Sequence, residues 1–120
     1  AGKAGAASRL NGAGSEAAFT YLAVGTGTTA PAAGDTTLEA EITDSGLARA
    51  AATCTRETTN VTNDTAVQDE TWSVTGTKAV TEAGIFNDTS AGVLLGRQTF
   101  SAQNVVNTDT LQVIYKIICS

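Results

Sequence analysis

The sequence predicts a mainly β protein, an antiparallel β-sandwich with one short helix after a Gly/Thr-rich loop. Three observations carry this expectation. From about Leu47 onward the chain breaks into short alternating segments at roughly 8–12-residue spacing, joined by polar turns. Ala and Thr together make up roughly a third of the chain, far above ordinary usage, and Thr is β-branched and suits a pleated surface. The final segment, TLQVIYKIIC (110–119), is the most apolar piece and carries β-branched residues on both faces.

Taken in order, residues 1–15 read as an N-terminal arm or short helix, and 16–120 as a single β-sandwich domain. Ala4 to Leu10 holds good helix formers, which Gly2, Gly5, Gly12 and Gly14 weaken. FTYLAVG (19–25) reads as a strand with Phe19, Tyr21 and Ala23 on one face. The stretch around Pro31, GTGTTAPAAGDT (25–36), is a loop. Thr36 or Thr37 then caps a short helix, TLEAEI, with Glu39 three residues after Thr36 completing a capping box.

LARAAATCTRET (47–58) has an ambiguous period and is taken as a strand because the segments after it alternate as strands. TTNVTNDT (58–65) is a turn by composition. In TAVQDETWSV (65–74) neither face is cleanly apolar, which suits an exposed strand or an interface. After a turn at Gly76, KAVTEAGIF (78–86) alternates Ala79, Thr81, Ala83 and Ile85 against Val80, Glu82, Gly84 and Phe86. NDTSAG (87–92) is a hairpin loop before VLLGRQTF (93–100), and SAQNVVNTD (101–109) is a loop before the last strand. There Leu111, Val113, Tyr115, Ile117 and Cys119 share one face, and Ile114 and Ile118 add apolar surface to the other. Such a strand is central in a sandwich or is covered by a partner.

Composition narrows the function. Only Val, Ile, Leu and a few aromatics can fill the core, so it is thin, and oligomerisation is a common remedy for a thin core. No apolar run reaches the ~18–20 residues that span a bilayer. The opening AGKAGAASRLNG lacks the apolar centre of a secretory signal, and Ala1 fits either removal of an initiator Met or a trimmed chain. Net charge is −5, and the seven Lys and Arg residues are scattered singly, which disfavours nucleic acid and anionic membranes as partners.

With no His, the commonest general base and metal ligand is missing. Neither Glu39 with Glu41 nor Asp69 with Glu70 shares the face that a carboxylate dyad needs. GTGTT lacks the Lys-Ser/Thr of a P-loop and the glycines of GxGxxG. Asn60, Asn63 and Asp64, like Asn87 and Asp88, do not match a calcium-loop spacing and are explained as turn residues. The expectation is therefore no enzyme, no cofactor and no metal. Cys54 and Cys119 leave three readings open: two buried free thiols, an intrachain disulfide or an interchain one.

YLAVGTGTTAPAAGDTTLEAEI (21–42), TNVTNDTAV (59–67), VTEAGIFND and LLGRQTF within 80–100, and NVVNTDTLQVIYKI (104–117) occur in order along the chain. Together they resemble a family of small structural proteins of tailed bacteriophages. The resemblance covers the chain from about residue 20 onward and implies a place in the virion, on the outer surface of capsid or tail. Its implied partners are the chain itself and the major capsid protein or neighbouring virion proteins. No catalytic residue comes with it, and the two cysteines stand outside its pattern.

Three functions are expected from these features. The first is a capsid decoration (cement) protein bridging capsomers. The second is a tail, collar or fibre component, although a fibre shaft would show repeats and none is present. The third is a receptor- or carbohydrate-binding module, for which one Trp, two Tyr and three Phe leave little aromatic surface. Candidate interface residues are Lys3, Arg9 and Leu10 in the arm, Thr26, Thr28 and Pro31 in the loop, Trp72, and Ile114 and Ile118 in the last strand.

Overall fold

Alternating sequence becomes two antiparallel sheets in the computed structural model of the chain, which describes residues 17–118. The predicted arm or helix at 1–15, with Lys3, Arg9 and Leu10, lies outside the described residues, as does Cys119. Seven strands run in the order β1 (Tyr21–Gly25), β2 (Ala50–Ala51), β3 (Thr53–Glu57), β4 (Thr65–Ser73), β5 (Lys78–Phe86), β6 (Leu94–Val105) and β7 (Thr110–Ile118). One sheet has the order β2-β1-β5-β6 and the other β3-β4-β7. The fold is all-β and sandwich-like.

The sheets meet through Leu22 and Val24 of β1, Val80, Ala83 and Ile85 of β5, and Trp72 of β4, with Leu47 and Val74 beside them. Leu111, Val113, Tyr115 and Ile117 of β7 close this core from the three-stranded side, partly buried. A second, smaller core of Ala23, Leu38, Phe86 and Leu94, with Tyr21 against it, lies on the other face of the four-stranded sheet. That sheet is therefore covered on both faces, which explains why consecutive residues of β1 and β5 are buried.

The expected helix at TLEAEI is absent, and no helix occurs among the described residues. The N–H groups of Glu39 and Ala40 donate to the Glu82 carboxylate at 3.0 and 2.8 Å instead of entering a helical ladder. The Glu39 carboxylate, expected in a capping box, accepts from Thr28 and Thr29. A long-range anchor thus displaces the local signal.

Other differences have equally local causes. The 47–58 segment is not one strand: β2 pairs with β1, the chain passes to the opposite sheet at Ala52, and β3 pairs with β4. Phe19 precedes β1 and packs against the inter-sheet core, whereas Tyr21 and Ala23 face the outer one. Strand β6 continues through Ser101–Val105, expected as loop, because Asn104 and Gln103 pair with Ala79 and Val80. A register shift between Val80 and Glu82 puts Val80 in the same core as Ala83 and Ile85, contrary to strict alternation.

Arg49 fastens the far end of the sandwich. Its guanidinium is bidentate on Glu41, at 2.7 and 3.0 Å, and donates to the carbonyls of Asp88 and Ala91 in the β5–β6 turn. It also lies 3.6 Å from the centroid of the Phe86 ring, a stacked arrangement suited to arginine.

Candidate functional site

Two surfaces stand out: a loop held rigidly on the four-stranded sheet, and the open side of the sandwich where β6 and β7 are edges.

The loop is Thr26–Ala40, and its anchor is Glu82. This carboxylate is fully buried and accepts from the N–H groups of Gly27, Glu39 and Ala40 and from Arg97 Nε. Thr81 Oγ1 donates to the Gly27 carbonyl at 2.6 Å, so consecutive β5 residues grip one loop residue through the local register shift. A Cβ at Gly27 would lie 2.4 Å from Glu39 Cβ and 2.5 Å from Glu82 Oε2, so only glycine permits this approach. Burial opposes ionisation of Glu82. The Arg97 guanidinium and the amides of Ala40, Glu39 and Gly27 outweigh it and hold the carboxyl below its ordinary value. Arg97 in turn reaches Asp35 at 3.3 Å.

The anchored loop presents Thr26, Thr28 and Pro31 at the surface. The side chains of Thr29 and Glu39 are hydrogen bonded to each other, and the Ala32 N–H donates to Asp35 at 2.9 Å. Its main chain is thereby held to the sheet and to its own carboxylates.

The open side is built differently. β7 pairs with β4 without a register shift over nine residue pairs, from Thr65–Ile118 to Ser73–Thr110. Its other edge has no strand beside it among the described residues. Ile114 and Ile118 are 51 % and 48 % exposed on its outer face. Gln98 and Phe100 of β6 and Val113, Ile114, Tyr115 and Lys116 of β7 line a cleft between the two sheet edges. Tyr115 shares a hydrogen bond with Gln98, and its partial burial pushes the phenol above its ordinary value.

The structure thus brings Ile114 and Ile118 to one strand face and leaves Thr26, Thr28 and Pro31 on a separate loop. It removes Trp72 from the interface set. Trp72 is 4 % exposed and lies in the inter-sheet core, and its Nε1–H donates to the Ala48 carbonyl at 2.8 Å. Polar Gln68, on the same side of β4 as Trp72, is buried and donates to the Phe19 carbonyl at 3.2 Å, which is why neither face looked apolar in sequence. Of the two expectations for β7, the central position is corrected: it is an edge of the three-stranded sheet among the described residues.

Cys54 is a free and exposed thiol, which corrects the reading of two buried ones. The pairing of Cys119 falls outside the described residues. Asp64 closes the 58–64 turn by accepting from the N–H groups of Thr59, Asn60 and Val61, and Asn63 adopts the left-handed conformation expected of a turn residue. Among the described residues no three His, Cys, Asp or Glu side chains are grouped to hold a metal ion.

Glu82 and Arg97 escaped the sequence reading. The available signal was an acidic residue inside an otherwise apolar strand, with an arginine in the next one. No protein-family model, no curated protein and no solved structure matches the chain.

Proposed function

We propose that this chain is a structural protein of a bacteriophage particle, acting as a capsid decoration protein that bridges capsomers from outside the shell. The observation that carries the reading is the open side of the sandwich: a nine-residue edge strand with exposed isoleucines beside an apolar cleft. Such an edge is a template for association. The phage-like motifs favour a virion as the setting of that association. The Gly/Thr loop supports it further, since it is polar, exposed and pinned by Glu82, so that docking costs little loop ordering.

Bridging works by making capsomer separation expose buried surface, at ~25 cal/mol per Å² of apolar area and multiplied over many copies. The test is the copy number in purified particles, measured by quantitative mass spectrometry against the major capsid protein. A number comparable to the capsomers is expected. A few copies per particle would move the chain to the tail or collar, and its absence from particles would overturn the virion reading.

A further inference from the structure

The free edges of this sandwich are not equivalent. β2 has two residues, and β3 has five, with Arg56 and Glu57 among them. β6 is long but carries two register irregularities against β5. β7 alone among the described edges is long, regular and free of proline and glycine. Natural edges are usually blunted by lysine, proline, bulges or a covering segment. The one lysine of β7, Lys116, bonds Glu57 at 2.8 Å and so leans across β4, away from the free edge.

We infer that a second copy of this chain pairs with β7 edge to edge and antiparallel, about a two-fold axis through Ile114. Ile114 is the central residue of β7. This register alone pairs the whole strand: Thr110 with Ile118, Leu111 with Ile117, Gln112 with Lys116 and Val113 with Tyr115 of the other copy. On the inner face every pair is then apolar or aromatic. Centring on Val113 would set Ile114 against Gln112, and centring on Tyr115 would set it against Lys116.

Charge complementarity favours the same arrangement. Gln112 Nε2 donates to Asp69 at 3.0 Å, and Asp69 has no ion pair among the described residues. The two-fold pairing brings Lys116 of each copy opposite this Gln112–Asp69 unit of the other, twice by symmetry. Its present bond to Glu57 is solvent-exposed and therefore weak enough to exchange. The product is one continuous sheet running through both molecules, with Ile114 covered by its own equivalent.

This pairing rests on the assembly role proposed for the chain and gives it a partner, yet it is read on purified protein, whereas virion membership is read on particles. Analytical ultracentrifugation of the full chain is expected to show a dimer. Ile114→Lys, which places like charges face to face on the axis, should halve the sedimenting mass with an unchanged circular dichroism spectrum. Register is tested in a Cys54→Ser, Cys119→Ser background. Ile114→Cys should then crosslink on oxidation, because directly opposed antiparallel residues sit ~4.5–5.5 Å apart, within disulfide range. Thr71→Cys, one strand away from the axis, should not. A monomer at all concentrations, a trimer, an Ile114→Lys variant that still dimerises, or equal crosslinking by Thr71→Cys would each overturn the inference.

Discussion

Glu82 and Arg97, on adjacent strands of the four-stranded sheet, meet through a 2.7 Å Nε–Oε1 bond with side chains 0 % and 3 % exposed. The pair holds the Thr26–Ala40 loop, since three loop amides share the same carboxylate. Loop and sheet therefore depend on one charge.

Glu82→Gln keeps the shape and removes that charge, leaving Arg97 with only the more distant Asp35. Removing one partner of a buried pair typically costs about 3–5 kcal/mol, and the remaining Asp35 places the expected loss at the lower end. A urea titration should show the midpoint falling accordingly. Hydrogen exchange at Gly27, Glu39 and Ala40 should quicken more than at Val24 or Ile85.

Acid should destabilise the protein, and the sign comes from four carboxylates held below their ordinary values. At Glu82 burial is outweighed by Arg97 and the loop amides. Glu39 is lowered by Thr29 and Thr28, Asp44 by Lys78, and Asp64 by the amides of Thr59, Val61 and Asn60. A depressed folded-state value gives stability that is complete above the ordinary carboxyl range and lost as pH falls through the folded value. Tm should hold down to about pH 5 and decline below about pH 4. Glu82→Gln should flatten that decline, and a Tm that rises on acidification would contradict the assignment.

Trp72→Phe deletes the Nε1–H bond to the Ala48 carbonyl and shortens a ring in the inter-sheet core. The combined cost should be about 1–3 kcal/mol, monitored by circular dichroism because the variant lacks tryptophan. A change near zero would mean that Trp72 is not packed as described.

Cys54 should react with a maleimide in the folded protein, since its strand is exposed along its whole length. Desolvation pushes its thiol up, so labelling should be slower than for a free thiol at neutral pH and should accelerate as pH rises. Cys54→Ser should change stability by less than about 0.5 kcal/mol. Labelling that needs denaturant would show the residue to be buried.

Strands with strong alternation were legible in the sequence: KAVTEAGIF is β5 at its full expected bounds, and β7 starts at Thr110 as expected. The loop around Pro31 and the placing of Ile114 and Ile118 on the face of β7 opposite Leu111 and Val113 were legible too. What failed depended on partners distant in sequence. The Ser101–Val105 extension of β6 is polar and becomes a strand only because Lys78–Val80 lies alongside it. The helix at 37–42 had correct local chemistry, but Glu82, some forty residues away, takes its amides. The sheet change at Ala52 is invisible in an Ala/Thr run whose side chains differ little in hydropathy from one face to the other.

The pairing of β1 with β5 has a consequence for how the chain comes off the ribosome. Val24 lies opposite Ala83, nearly half a chain length later. During synthesis one side of β1 can be met early, by Ala50–Ala51 and by the Ile42 amide on the Val24 carbonyl, but its other side waits until β5 has been made. Long-range strand pairing of this kind folds slowly and leaves apolar strands transiently exposed. The aggregation-sensitive interval in the life of this protein therefore falls in the nascent chain, and chaperone demand should scale with the apolarity of YLAVG rather than with that of the exposed edge of β7.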